Sequence, residues 1–203
     1  MAILSLRGFV PIALLAREAA FLAVMLALTA VIAHPVLDFS MRAPLASAAV
    51  GVVVFVLWIT PDLLLPGYRH HLENSIMGTM QSTFPAAARL SVPLLALRTV
   101  RAVIVVPVIE ELFWRAWLMR WIISPDFQKV PLGAYTPFSF WMVALLFASE
   151  HGPYWDVGLA AGILYNWWMV RTRSLGDLIF AHAVTNACLS AYVIAAGKWE
   201  YWL

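Results

Sequence analysis

Long apolar segments, separated by short polar ones, dominate this sequence of 203 residues and constrain its fold more than any other feature. Hydrophobic side chains make up 63% of the chain, whereas an average soluble domain contains about 45 to 50%. The mean hydropathy is +0.84. Because a helix of about 20 apolar residues spans a bilayer, the sequence predicts an all-α, multi-pass integral membrane protein.

We expect one integral membrane domain over residues 1–203, folded as a transmembrane bundle of about six to seven helices that encloses a polar active-site cavity. The segments predicted to be helical are 9–33, 43–59, 90–123, 137–151, 156–170 and 174–196. The apolar start lacks the Ala-x-Ala cleavage site of a removable signal, so we expect it to be retained. Turn-forming residues at Thr60-Pro61-Asp62 predict the end of the second helix.

The segment 90–123 is too long for one perpendicular crossing. As a helix with a rise of about 1.5 Å per residue, it would exceed the roughly 30 Å hydrocarbon core of a bilayer. The sequence therefore predicts that this helix tilts, kinks or splits. Pro107 is the expected break, because proline removes a helical hydrogen bond and frees a backbone carbonyl.

Charge and cysteine usage exclude some classes of function. The 13 Lys and Arg residues against 11 Asp and Glu give a net charge of only +2. The basic residues are scattered singly, which does not suit nucleic acid as a partner. The lone Cys188 has no intramolecular disulfide partner, and we expect it to pack as a small hydrophobe.

The longest polar interval, 62–89, predicts a loop with an amphipathic helix on the membrane surface. Its apolar positions Leu72, Ile76 and Met80 recur every four residues. The neighbouring His70-His71 could suggest a metal site. Adjacent residues point to different faces of a helix, however, and no array of Cys or carboxylate side chains lies nearby, so we expect a solvated loop.

Three ionisable residues stand inside the long apolar segment: Glu110, Glu111 and Arg115. Such residues cost about 2.5 to 3.5 kcal/mol each at the centre of a membrane helix, and they usually face the protein interior and take part in function. Glu111 and Arg115 are four residues apart, which predicts an ion pair on one helix face. Glu110 lies about 100° around the helix and is predicted to point elsewhere.

Polar residues also interrupt the apolar segments that follow. His151 and His182 lie on different predicted helices, and Asn186 is one turn after His182 on the same face. Asn166 continues the face of the small-residue pattern Gly158-Leu-Ala-Ala-Gly162, so we expect it to form an interhelical hydrogen bond.

These residues together favour peptide-bond hydrolysis. A carboxylate shielded from water can act as a general base, so Glu110 is a candidate for activating a water molecule, with His151 positioning it. His182 and Asn186 could stabilise the oxyanion that forms when water attacks an amide. Each residue taken alone has a structural explanation, such as packing or a buried ion pair.

Three motifs resemble those of the CAAX protease and bacteriocin-processing (CPBP, Abi) family of intramembrane endopeptidases. Glu110-Glu111-Leu-Phe-Trp-Arg115 is similar to the family's Glu-Glu-x-x-x-Arg motif. Phe147-Ala-Ser-Glu-His151 resembles Phe-x-x-x-His, and His182-Ala-Val-Thr-Asn186 resembles His-x-x-x-Asn. The motifs occur in the family's order, and the resemblance covers a motif-bearing core at 90–196.

The resemblance implies a glutamic-type intramembrane protease that needs no metal or other cofactor. Glu110 and His151 would activate water, His182 and Asn186 would stabilise the oxyanion, and Glu111 with Arg115 would support the site. The implied partners are the lipid bilayer and a membrane-associated protein or peptide substrate. The short chain also resembles CAAX-protease-related proteins of bacterial exosortase systems, which implies the bacterial inner membrane.

Three alternatives to this function remain open from the sequence. A zinc metalloprotease could use the same histidines and glutamates, although the His-Glu-x-x-His pattern is missing. A non-proteolytic immunity or scaffold protein could keep the polar residues for packing or partner recognition. Ion or proton transport is a third alternative, but it would need a chain of carboxylates across the membrane.

Overall fold

The computed structural model describes residues 2–33, 38–69 and 82–202, and their side chains from residue 14 onward, except for 32 and 33. These residues form long helices and short 3₁₀ turns, with no β-strand among them. The helices are α1 Ala2–Ala33, α2 Pro44–Leu64, α3 Val92–Trp121, α4 Pro137–Ser149, α5 Trp155–Thr172 and α6 Leu175–Ala196. The predicted all-α bundle is confirmed.

Four of the described helices are long and apolar enough to cross a membrane: α1, α2, α3 and α6. Helix α4 is also apolar but shorter. The predicted surface helix with Leu72, Ile76 and Met80, and the His70-His71 pair, lie outside the described residues.

The predicted end of α2 at Thr60-Pro61-Asp62 is wrong, because the helix runs through Pro61 to Leu64. Within a helix, proline removes one backbone hydrogen bond and its ring crowds the carbonyl four residues earlier, but here this cost does not end the helix. The Thr60 hydroxyl donates to the Val56 carbonyl over 2.6 Å. The next proline, Pro66, disfavours helical geometry at Leu65 and so coincides with the actual end.

The predicted break at Pro107 is also wrong, since α3 is continuous from Val92 to Trp121. Two stretches of it have the wider π-helical geometry, Arg101–Val105 and Leu112–Leu118. The Val106 N–H accordingly donates to the Arg101 carbonyl, five residues back. A π turn immediately before Pro107 lets the helix continue past a residue that lacks an N–H.

Helix α6 lies at the centre of the bundle, where it packs against α2, α3 and α5, while α4 packs against α5. Small residues allow the closest approaches. A Cβ atom on Gly51 of α2 would lie 2.3 Å from the Ala181 carbonyl oxygen of α6. Likewise, a Cβ atom on Gly162 of α5 would lie 3.2 Å from Ala144 of α4. The close approach predicted from Gly158 and Gly162 is thus confirmed.

The starts of α2 and α6 are joined by the Asp177 carboxylate. It accepts hydrogen bonds from the backbone N–H groups of Arg42, over 2.6 Å, and Ala43, over 3.0 Å. The Ser47 hydroxyl donates to it over 2.8 Å. This contact fixes the register between two helices that are distant in sequence, and α6 carries two of the predicted site residues.

Candidate active site

The predicted ion pair between Glu111 and Arg115 is confirmed at the centre of the bundle. Both side chains are 0% exposed, and Arg115 Nη1 lies 3.0 Å from Glu111 Oε2. Arg115 Nε donates to Asn166 Oδ1 over 2.9 Å, and its guanidinium lies 4.5 Å from the centre of the Phe147 ring. The Asn166 amide donates to the Phe140 carbonyl over 2.8 Å, so its predicted interhelical hydrogen bonding is confirmed as well.

Glu111 also contacts His182, which the sequence did not predict. His182 Nδ1 lies 2.7 Å from Glu111 Oε1. Because the carboxylate paired with Arg115 accepts, Nδ1 carries the proton and donates it. Tyr165 stacks on the imidazole with 5.0 Å between ring centres, and its hydroxyl donates to Thr185 over 2.7 Å. These contacts fix the orientation of the His182 ring.

Asn186 hydrogen-bonds to a backbone carbonyl of α3 that precedes Pro107. Its Nδ2 donates to the Ala102 carbonyl over 2.8 Å. Continuing the π-helical pattern would pair that carbonyl with the N–H of residue 107, which proline lacks. The hydrogen bond holds the side chain of Asn186 beside α3, at a carbonyl to which Pro107 can donate no N–H.

His151 lies at the turn between α4 and α5. Its Nδ1 is 2.7 Å from the Phe147 carbonyl oxygen. A carbonyl can only accept, so Nδ1 carries a proton and the neutral ring has a lone pair on Nε2. The Trp58 and His151 rings pack edge to face with 5.2 Å between ring centres. Gly158 gives it room, because a Cβ atom there would lie 3.2 Å from three atoms of His151.

Glu110 differs from Glu111 in its surroundings. Its Oε2 atom is buried and has no hydrogen-bond partner among the described residues. The side chain faces a cavity, whereas Glu111 is directed toward Arg115 and His182. The prediction that the two neighbouring carboxylates point in different directions is confirmed.

The cavity has a volume of about 580 Å³ and brings four of the predicted residues together. Glu110 from α3, His151 from the α4–α5 turn, and His182 and Asn186 from α6 all line it. Glu111 and Arg115 do not line the cavity, but Glu111 is hydrogen-bonded to His182, which does. Glu150, to which the sequence assigned no role, lines the same cavity.

Sequence reasoning missed two aromatic residues that hold the histidines, Trp58 and Tyr165. Both also line the cavity. In the sequence, each is an aromatic residue with one polar atom inside an apolar segment. When such a residue is buried, its polar atom needs a hydrogen-bond partner. That signal does not identify the partner.

The fold and the site define a class of protein: an integral membrane helical bundle with a buried Glu, Arg and His cluster beside an internal cavity. Residues 92–188 match the model of a family described as type II CAAX prenyl endopeptidase Rce1-like. The match supports the resemblance of this region to the CAAX protease family. The exosortase-associated subgroup stays a prediction.

Neither the search of curated proteins nor the search of solved structures found a match. The matched segment contains Glu110, His151, His182 and Asn186. Since the family is one of endopeptidases, the match supports protease activity within a membrane in general.

Proposed function

We propose that this protein is a glutamic-type intramembrane endopeptidase that cleaves a membrane-associated protein or peptide. The observation that carries the proposal is the convergence of Glu110, His151, His182 and Asn186, from three parts of the chain, on one cavity. Taken with the bacterial resemblance of the compact chain, the proposal includes a location in the bacterial inner membrane.

Glu110 acts as the general base in this scheme. Its unpaired Oε2 atom accepts a hydrogen bond from a water molecule and takes its proton as the oxygen attacks the carbonyl carbon of the scissile peptide. The carbonyl π-bond electrons move to oxygen and form a tetrahedral oxyanion. When the C–N bond breaks, Glu110 returns the proton to the leaving nitrogen. The products are a carboxylic acid, which ionises, and an amine.

His151 positions the attacking water. Because its Nδ1 proton is donated to the Phe147 carbonyl, its Nε2 lone pair is the atom that accepts from the second water hydrogen. Two acceptors, Glu110 and His151, then fix the water while its oxygen lone pair faces the substrate. Such fixing of a nucleophile contributes through orientation.

His182 and Asn186 stabilise the oxyanion. The amide of Asn186 has two N–H groups, and only one is needed by the Ala102 carbonyl, so the other donates to the oxyanion. His182 donates its Nδ1–H hydrogen bond to Glu111. It can therefore donate a second hydrogen bond, from Nε2 to the oxyanion, only as an imidazolium. Glu111 supports that charged form, and Arg115 with Asn166 keeps the carboxylate in place.

The described side chains do not supply the ligands for the zinc alternative. No group of three or more His, Cys, Asp and Glu residues within the described ranges could hold a metal ion. The acidic residue nearest to His182 is Glu111, which is already paired with Arg115. A chelator that abolishes cleavage, with recovery on adding zinc, would nevertheless favour that alternative over the metal-free scheme.

The test compares the wild-type protein with Glu110→Gln at matched, folded levels. Mass spectrometry of membrane peptides reads out new termini. Glu200→Gln is the control, because Glu200 is a partly exposed carboxylate whose ionic contact is Lys198. We expect termini that need Glu110 but not Glu200, with cleavage reduced by about 10²- to 10⁴-fold on loss of the base.

Identical termini in the wild-type and Glu110→Gln samples would overturn the proposal and favour an immunity or scaffold protein. The glutamine keeps the shape of the side chain, so a loss of fold does not explain a loss of cleavage if the variant's melting temperature is unchanged. Cleavage lost equally in both glutamine variants would also contradict the role of Glu110.

A further inference from the structure

A second buried polar cluster lies at the end of the bundle that carries the α4–α5 turn, and the proposed reaction does not use it. Its centre is Arg69, which is 5% exposed. Arg69 Nε donates to Asp62 Oδ1 over 2.9 Å, and its Nη1 forms an ion pair with Asp156. Burying an arginine costs several kcal/mol unless its charge is paired, and these two carboxylates supply the pairing.

Arg69 also binds the turn that follows His151. Its Nη1 donates to the Pro153 carbonyl over 3.0 Å, two residues beyond the histidine. Asp156, its ionic partner, lies in the first turn of α5, where a carboxylate is favoured by the helix dipole. Arg69 thus contacts both the backbone of the turn and the start of the next helix.

Aromatic packing provides a second connection from Arg69 to His151. The guanidinium of Arg69 lies 4.7 Å from the centre of the Tyr154 ring. Tyr154 stacks on Trp58 with 6.2 Å between ring centres, and Trp58 meets the His151 ring at 5.2 Å. Trp58 and Tyr154 line the same cavity as His151.

Further hydrogen bonds hold the carboxylates of the cluster. The Tyr68 hydroxyl donates to Asp156 over 3.0 Å, and the Tyr201 hydroxyl donates to Asp62 over 2.5 Å. The cluster therefore joins the end of α2, the start of α5 and the segment after α6. Such a network fixes a turn more firmly than one bond would, because each charged group is held by at least two partners.

We infer that Arg69 is a positioning residue for catalysis, which holds the turn 151–154 so that His151 can orient the attacking water. This inference rests on the proposed function. The Phe147 carbonyl fixes one side of His151, and Arg69 fixes the chain on the other side. Since a displacement of about 1 Å at a reacting centre can lower a rate by about 10²-fold, loss of Arg69 slows the chemical step without removing a group that touches substrate.

Arg120 provides a matched control for Arg69. It also donates to carbonyls of a connector, to Val130 over 2.6 Å and to Gln128 over 3.4 Å. That connector joins α3 to α4 and carries no residue of the proposed site. Loss of either arginine frees a connecting segment, but only the segment bound by Arg69 holds His151.

The kinetic test uses a peptide spanning the cleavage site identified through Glu110→Gln. We expect Arg69→Ala to lower kcat by about 10- to 100-fold with KM within about twofold of wild type. Arg69→Lys should recover part of kcat, because it keeps a charge between Asp62 and Asp156. Arg120→Ala should keep kcat within about twofold, since its connector does not reach the cavity.

A second measurement does not depend on proteolysis. In protein labelled with ¹⁵N-histidine in detergent micelles, the His151 ring resonances are assigned through His151→Gln. We expect the wild type and Arg120→Ala to show one set of His151 ring ¹⁵N resonances, typical of a neutral ring with a proton on Nδ1. Arg69→Ala should shift, broaden or split that set. If Arg69→Ala fails to fold, Arg69→Lys replaces it in both measurements.

Unchanged His151 resonances in the Arg69 variants overturn the inference, whatever happens to kcat. If cleavage depends on Glu110 but Arg69→Ala has the kcat of the wild type, the inference about Arg69 is also overturned. The proposed function still stands in that case. If cleavage does not depend on Glu110, the proposed function fails, and the resonances alone decide whether Arg69 positions His151.

Discussion

Replacing Arg115 with methionine tests whether the buried cluster is held together by charge. Methionine keeps much of the length and volume of the side chain but removes all of its donors. The change leaves the carboxylate of Glu111, which is 0% exposed, with His182 as its remaining hydrogen-bond donor. It also removes the hydrogen bond to Asn166 and the packing of the guanidinium on Phe147.

With His182 neutral, the expected cost is about 3 to 5 kcal/mol, because removing one partner of a buried ion pair leaves an uncompensated charge. The double variant Glu111→Gln/Arg115→Met has no buried charge left at this position. Its cost should be about 1 to 3 kcal/mol, from the lost hydrogen bonds alone. Removing the second charge should therefore restore about 2 kcal/mol, a large part of a total stability of about 5 to 15 kcal/mol.

Reversible unfolding of the purified protein by SDS in mixed micelles, followed by far-UV circular dichroism, measures these free energies of unfolding. Arg115→Met should be the least stable of the three proteins. If the double variant were as unstable as Arg115→Met, or less stable, the cost would come from packing and the argument from unpaired charge would be refuted.

Three further substitutions test individual contacts. Gly158→Ala places a Cβ atom 3.2 Å from His151, so it should lower kcat by about 10-fold or more with a small change in melting temperature. Gly51→Ala places a Cβ atom 2.3 Å from the Ala181 carbonyl oxygen, and should cost about 1 to 3 kcal/mol or more of stability, measured by the same SDS titration. Asn186→Leu leaves the Ala102 carbonyl unpaired, which should cost about 1 to 3 kcal/mol, and should lower kcat by about 10²- to 10³-fold if Asn186 also binds the oxyanion.

For each of these substitutions, one result would contradict the prediction. Gly158→Ala with wild-type kcat would mean that the position of His151 is not limiting. A stable Gly51→Ala protein would show that α2 and α6 can separate without cost. Asn186→Leu that loses stability but keeps kcat would restrict Asn186 to a structural role.

The sequence allowed the local features of this protein to be predicted. Apolar segments located the helices, and the spacing of Glu111 and Arg115 predicted their pair, because residues four apart share a helix face. The small residues before Asn166 predicted a close helix approach on that face but not its partner, which is α4. The hydrogen bond from Asn166 to Phe140 lies across that contact.

The features that were missed depend on tertiary structure or on an irregular helix. His182 and Glu111 are 71 positions apart, so no periodicity could pair them. The ends predicted at Pro61 and Pro107 were wrong because proline removes one hydrogen bond but does not decide whether the surrounding bundle keeps the helix continuous. A π turn leaves no mark in the apolar pattern.

The π geometry of α3 has a consequence for the length of that helix. One residue more or less in a helix rotates everything beyond it by about 100°, and a π turn accommodates an extra residue without interrupting the helix. Deleting the exposed Ile104 from the first π segment would restore the ordinary pitch and leave the helix whole. Because the π turn takes up that residue locally, the deletion would leave Arg98 and Arg101 facing the cavity that they line with Glu110. The extra residue of the π turn thus lets α3 vary in length while the parts on either side of the turn keep their faces toward the cavity.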